Sequence, residues 1–310
     1  MSVTRPLPTG DEACVLVEGP WRHREIAANG QRFHAVEAGE GPLVLLLHGF
    51  PQFWYAWRHV IPVLADAGFR VVAPDLRGYG ASDKPPRGYD LATLSADVAG
   101  MIRALGEHDA MIAGHGWGGI LGWTTSVLHR QRVRRLVTLG SAHPLTMRSA
   151  FFTHPQREAS TSWYAAGMQV PRAESYLKRN NAEPMIRLAR GWAGPGWPDP
   201  ENEQRMREAF QLPGVAHCSL EYYRWVFRSL PRPDGLRFAR AMRAPLSAPV
   251  LALHGDLDRC LLPETARASR RHVVGPYEFR TIPDVGHFLP EEAPEVVASA
   301  LAEFGRPDLR

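Results

Sequence analysis

The segment Ile112-Ala113-Gly114-His115-Gly116-Trp117-Gly118-Gly119 joins a short apolar strand pattern to a helical one. A sharp strand-to-helix turn of this kind lifts its apex side chain above a sheet, provided that the residues two before and two after are small. Gly114 and Gly118 meet that need around position 116. The same glycines also satisfy G-x-G-x-x-G, a dinucleotide fingerprint that further requires an acidic residue about 20 positions on. No Asp or Glu stands between Asp109 and Glu158, so that reading fails. Three more loops carry suitable groups. His48-Gly49-Phe50-Pro51 follows an apolar run where a backbone N–H can help hold an oxyanion. Gly255-Asp256-Leu257-Asp258 offers two carboxylates, and Gly286-His287-Phe288 offers a base. Apex, acid and histidine in this order suit acyl- or alkyl-transfer chemistry with a base oriented by a carboxylate.

The elements that must position these groups alternate. Ile26 to Ala38 predicts a hairpin turning at Asn29-Gly30. Leu43 to Leu47 is continuously apolar, as a buried central strand is, and Phe69 to Pro74 repeats the pattern. Leu91, Leu94, Val98, Met101, Ile102 and Leu105 are spaced for a helix over Asp90 to Leu105. Ala110 to Ala113 predicts a strand, Gly118 to His129 a helix and Val133 to Gly140 a strand. Pro249 to His254 and Tyr277 to Ile282 predict further strands, and Pro294 to Phe304 a last helix. The alternation predicts an α/β fold, a mostly parallel sheet flanked by helices. Between about Ala142 and Arg243 strand patterns vanish. Helical ones remain at Arg172–Arg190, Pro200–Phe210 and Leu220–Leu230, among many aromatics and prolines. The expected organisation is one core, residues 1–141 and 244–310, interrupted by a helical lid over 142–243. The first 20 residues read as a loose arm.

The chain has 310 residues, 45% hydrophobic and 22% charged, which suits a soluble globular enzyme and excludes disordered or fibrous classes. The strongest apolar run is five residues, far short of the roughly 18 a membrane helix needs, so no membrane partner is expected. The net charge is +4 and the pI about 9.1, but the arginines are scattered, and the clusters Arg132, Arg134, Arg135 and Arg267, Arg270, Arg271 are short. No nucleic-acid partner is therefore expected. Three cysteines without a C-x-x-C pair, and no basic-then-apolar leader, read as a reduced cytoplasmic chain. The histidines lack metal-ligand spacing, and neither metal nor cofactor is implied. A homodimer is an assembly compatible with the sequence.

Taken together, His-Gly-Phe-Pro, Asp75-Leu-Arg-Gly-Tyr-Gly-Ala-Ser-Asp83-Lys-Pro and Gly-His-x-Trp-Gly-Gly resemble the epoxide hydrolase branch of the α/β-hydrolases, from Ile26 to Phe304. The resemblance implies an α/β-hydrolase fold with a lid. It also implies a small apolar epoxide as substrate and hydrolysis to a vicinal diol through an ester on an elbow aspartate. His287 fits the base that activates water, and Asp258, by the family's Gly-x-x-Asp spacing, the acid that orients it, with Asp256 the competitor. Backbone N–H groups at Phe50 and Trp117 match the oxyanion hole; His48, Pro51 and His115 fall beside the substrate. Trp163-Tyr164 and Glu221-Tyr222-Tyr223-Arg224-Trp225 resemble the two lid segments whose tyrosines grip the epoxide oxygen, which implies Tyr164 and Tyr223, with Tyr222 as the alternative. Phe151, Phe152, Trp163, Trp192 and Trp197 are candidates to line the pocket. One position departs: the nucleophile's place is held by Gly116, which has no side chain. Three readings follow. The nucleophile has been replaced and binding remains; or a water activated by His287 attacks directly; or the protein is an inactive binding protein. A haloalkane or haloacid dehalogenase-like hydrolase is the competing enzyme reading, and it would lose the same nucleophile.

Overall fold

In the computed structural model, residues 12–153 and 164–306 are described. Among them is an eight-stranded sheet formed by β1 (Arg22–Ala28), β2 (Gln31–Ala38), β3 (Leu43–Leu47), β4 (Arg70–Pro74), β5 (Ala110–His115), β6 (Val133–Leu139), β7 (Val250–Gly255) and β8 (Tyr277–Ile282). Their order is β1-β2-β4-β3-β5-β6-β7-β8. The β1–β2 and β2–β4 pairings are antiparallel and the rest parallel. Every residue of β3, β5 and β7 is buried, which requires cover on both faces and explains their unbroken apolar runs. Asn29 and Gly30, both at positive φ (47° and 72°), make the two-residue turn expected of Asn-Gly. The hairpin begins earlier than its apolar pattern, at Arg22.

The cover comes from helices that alternate with the strands. The first three are α1 (Val60–Asp66), α2 (Leu91–Ala104) and α3 (Trp117–Leu128). Helix α2 starts where Asp90 accepts the Thr93 N–H at 2.8 Å, and it buries the predicted stripe. Between β6 and β7 lie α4 (Pro144–Thr153), α5 (Ala173–Leu177), α6 (Arg179–Arg190), α7 (Pro200–Gln211), α8 (Val215–Ser229) and α9 (Pro233–Ala241), and no strand among the described residues. After β7 come α10 (Pro263–Arg267), α11 (Leu289–Glu292) and α12 (Pro294–Gly305). Helix α1 packs on α12, and α2 on α3.

Two expectations need correction. The single helix over Arg172–Arg190 is broken. Asn180, Asn181 and Ala182 sit at φ 49°, 55° and 59°, and asparagine is the non-glycine residue that most readily turns left-handed. The loose arm is docked at its end: Glu12–Val15 forms a 3₁₀ turn, Val15 is fully buried, and its carbonyl accepts Trp54 Nε1 at 2.8 Å.

Between β5 and α3 the chain turns at Gly116, with φ 51° and ψ −114°. Its N–H donates to the Leu139 carbonyl at 3.0 Å, and its carbonyl accepts from Ile120 at 3.1 Å. A Cβ on Gly114 would strike the Gly118 carbonyl, one on Gly118 the Leu47 carbonyl, and one on Gly119 the Ser141 side chain. Position 116 is different. A Cβ there would meet nothing closer than His287 Nε2, at 3.4 Å. Glycine at 114 and 118 is demanded by close packing, and at 116 only by backbone strain. Gly116→Ala is therefore expected to fold with a loss of about 1–3 kcal/mol. Gly114→Ala, which forces backbone against backbone, should lose several-fold more or fail to fold. Urea denaturation of both variants checks the contrast.

Candidate active site

Four chain segments meet at the carboxyl ends of the parallel strands, where open α/β sheets place their ligands. The loop after β3 brings Phe50; the elbow brings Gly116 and Trp117; the loop after β7 brings Asp258 and Cys260; the loop after β8 brings His287. Above them sit Tyr164, Trp192 from the turn after α6, and Tyr223 from α8. All of these but Asp258, which sits behind His287, border a mostly apolar cavity of about 220 Å³.

His287 Nδ1 lies 2.8 Å from Asp258 Oδ2. The other carboxylate oxygen accepts the N–H groups of Cys260 (2.7 Å) and Leu261 (3.0 Å). Burial opposes a charge on Asp258, but His287 and these hydrogen bonds outweigh it and hold the carboxyl below its ordinary range. Burial likewise opposes the imidazolium, yet Asp258 and the neighbouring Cys260 push His287 well above the ordinary histidine value. Asp256 is exposed and takes no part, so Asp258 is the partner. The histidine loop is held from three sides. The His287 N–H donates to the Trp192 carbonyl at 3.0 Å, and the His287 carbonyl accepts His115 Nε2 at 2.8 Å. Glu292 accepts the N–H groups of Gly286 (2.7 Å), Phe288 (2.8 Å) and Gly194 (2.8 Å). Burial, and then the charge on His287, depress His115 to about 3, so it is a neutral donor at any ordinary pH.

Tyr164 and Tyr223 both line the cavity and meet edge-on, ring centroids 5.8 Å apart, while Tyr223 also packs edge-on against Trp117 at 4.9 Å. Burial raises both phenols, so both keep their protons. Tyr222 turns the other way. Its hydroxyl donates to the Arg77 carbonyl at 2.8 Å in the core, which leaves Tyr223 as the cavity tyrosine of the pair.

Phe50 and Trp117 border the cavity, but His48, Pro51 and His115 do not. His48 is fully buried, with Nε2 accepting the Leu76 N–H at 3.0 Å and Nδ1 3.0 Å from the Gly49 carbonyl. It braces the loops below the site. His115 acts from behind His287. Trp192 lines the cavity, whereas Trp197 stacks on Phe288 at 3.7 Å and donates to Glu291 at 2.8 Å. Trp163 and the side chains of Phe151 and Phe152 lie outside the described residues. Sequence reasoning missed Glu292, Cys260, Ser141, Met147 and Trp225. Only Glu292 had a local signal, a glutamate five residues past the histidine. Among the described residues no group of three or more His, Cys, Asp or Glu side chains is disposed to hold a metal ion.

A model of the α/β hydrolase fold family matches residues 42–294. Epoxide hydrolase A of Mycobacterium tuberculosis is 33% identical, with 91% of this chain and 96% of that protein covered. An AB hydrolase superfamily protein of Bacillus subtilis is 30% identical over 90% of this chain and 96% of its own length. The crystal structure of an epoxide hydrolase from Vigna radiata superposes with a TM-score of 0.78 at 29% identity, covering 92% of this chain and 98% of that one.

The raised His287 predicts a signed pH effect. A proton held more tightly in the folded state adds stability that is complete below the ordinary histidine value and is lost as pH rises through the raised one. Asp258→Asn should lower the His287 midpoint and shrink that alkaline loss. Histidine ring resonances followed by NMR between pH 5 and 10, alongside urea unfolding, check both; an unchanged midpoint would refute the pairing.

Proposed function

Because this chain belongs to the α/β-hydrolase fold family and to its epoxide hydrolase branch, we propose that the cavity binds a small apolar epoxide whose oxygen is gripped by Tyr164 and Tyr223. The segment 142–243 serves as the lid over a core of residues 1–141 and 244–310. The observation that carries the reading is that Tyr164, Tyr223 and His287 line one apolar cavity, with Asp258 paired to His287.

Each group has a task. Opening an epoxide leaves charge on oxygen, and a buried phenol that keeps its proton can donate to it. The backbone N–H groups of Phe50 and Trp117 serve as the oxyanion site for an ester on position 116. That ester cannot form here, because Gly116 carries no carboxylate. Hydrolysis by this chain therefore runs through water. His287 Nε2 points toward the space in which a Cβ at 116 would stand, and a water there can pass its proton to the neutral imidazole and attack an epoxide carbon. Asp258 steadies the imidazolium that results. The raised proton affinity of His287 makes the base form scarce at neutral pH, so this route is slow and quickens on the alkaline side. A dehalogenase-like reaction is disfavoured, since a halide leaves without needing a phenol's proton.

Gly116→Asp tests the reading. With styrene oxide it should form diol on the order of 10³-fold faster than the chain as it stands. In that variant Tyr164→Phe or Tyr223→Phe should each cost about 10²-fold in kcat. A folded Gly116→Asp protein without epoxide turnover across several substrate sizes would sink the assignment. Slow turnover by the unaltered chain should vanish in His287→Ala; if it persists, the direct-water route is wrong.

A further inference from the structure

The apolar cavity adjoins a second depression, and Leu145, Arg148 and Ala239 border both. On α4, Leu145 and Arg148 stand three residues apart. On α9 and just beyond it, Leu236, Ala239, Arg240 and Arg243 stand at i, i+3, i+4 and i+7. Each helix therefore gives one face to the depression. Three of its seven lining residues are arginines, and no Asp or Glu lines it. None of the three guanidinium groups has a carboxylate partner among the described residues, whereas arginines nearby do. Arg224 and Arg228 pair with Glu221 at 3.1 and 3.5 Å, and Arg232 pairs with Asp234 at 3.2 Å. Those are the single acids of α8 and α9, and α4 carries none, so the helices around the depression have no acid left to offer. Arg240 and Arg243 stand at the C-terminal end of α9, where free carbonyls favour a cation. Arg148, half-buried in the middle of α4, has no such support. A guanidinium drawn partly out of water is ordinarily paired.

We propose that this arginine-lined depression binds the acid group of an epoxide substrate whose apolar chain runs back through the cavity to Tyr164 and Tyr223. The proposal rests on the epoxide reading of the cavity and narrows it. The substrate is apolar along its length and anionic at one end. The acid is a carboxylate or a phosphate ester, since a guanidinium fork fits the oxygens of either. The mostly apolar cavity suits the chain, and the depression supplies the cations that the cavity lacks. Arg148 lies on the shared wall and meets the acid where it leaves the apolar walls. Arg240 and Arg243 are exposed and draw the anion from solvent by a longer-range attraction that salt screens. The chemistry at His287 is untouched. The anchored acid fixes which end of the substrate enters and how far the ring reaches, so it sets chain-length preference and KM. Styrene oxide, which has no acid group, enters without this anchor.

The test uses the full chain and calorimetric titration with straight-chain alkanoates of graded length, their methyl esters, and alkyl phosphates of the same lengths. At the fitting length an acid should bind about tenfold or more tightly than its ester. That gap should narrow as salt is raised. The acid that gains more, alkanoate or phosphate, names the group. Arg148→Gln should close most of the gap and leave the ester's affinity as it was. Arg130→Gln makes the same change of net charge at the amino end of β6 and should leave the gap standing. Should Arg148→Gln fail to fold, the exposed pair Arg240→Gln and Arg243→Gln takes its place. Esters bound as tightly as acids at every length, a gap unmoved by these variants, or a gap lost equally in Arg130→Gln would overturn the proposal. Gly116→Asp, given terminal epoxyalkanoates and their methyl esters, separates the two readings. Diol formed equally fast from acid and ester rejects the arginine site and keeps the epoxide site. Alkanoate binding that depends on Arg148, without diol from any epoxide, keeps the arginine site and removes the hydrolase.

Discussion

The contact on which the site depends is the 2.8 Å approach of His287 Nδ1 to Asp258 Oδ2. Its partners come from loops 29 residues apart in sequence, and parallel pairing of β7 with β8 brings those loops to the same edge. Such a pair is costly to bury unless the remaining polar atoms are satisfied. Asp258 meets that condition with two backbone N–H groups, and the histidine loop meets it through Trp192, His115 and Glu292. Two of those ties, at Trp192 and at Gly194, come from the helical segment between β6 and β7. The histidine is thus set jointly by the sheet and by the segment that covers it, and movement of that segment would be felt directly at the base.

The glycines of the elbow divide into two kinds. Those at 114 and 118 let backbone approach backbone, and any side chain there would push β5 from α3. The one at 116 relieves strain and leaves open space facing His287 Nε2. A nucleophile at such an apex is held at a cost of about 1–3 kcal/mol in backbone strain. Gly116 escapes that cost. Among the described residues nothing lies closer to that Cβ position than His287 Nε2, at 3.4 Å.

Much of this was readable beforehand because it is written in local patterns. Unbroken apolar runs place β3, β4 and β7, since strands buried on both faces cannot alternate. The stripe from Leu91 to Ile102 places α2, and Asn29-Gly30 the hairpin. Gly-His-Phe and Gly-x-x-Asp, through the family they resemble, single out His287 and Asp258, which the fold brings to 2.8 Å. What stayed hidden depends on distant partners. Helices α1 and α9 are short, at seven and nine residues. His48 and His115 sit beside site motifs in the sequence, yet each spends its ring nitrogen on a backbone group, and that depends on loops far along the chain. The choice between Tyr222 and Tyr223 is a matter of one helical step, about 100° of rotation, which adjacent residues in a sequence do not reveal. Cys260 was passed over because three cysteines without a pattern carry no signal until a fold sets one against a cavity tyrosine.

The missing carboxylate also alters the electrostatics of what remains. A carboxylate at 116 would lie close to Nε2, opposite the face of the ring that meets Asp258. His287 would then be flanked by two anions, and its proton would be held from both sides. With glycine there, Asp258 is the only carboxylate among the described residues hydrogen-bonded to the ring, and Nε2 faces a mostly apolar cavity. The second anion would favour the imidazolium further, and it would be spent on forming an ester, after which the base must be neutral to act on water. A site without it never passes through the ester, so its base must be neutral from the start. Burial opposes a charge on that one imidazole, and its proton balance is set first by Asp258, which holds the ring at Nδ1 and favours its charged form.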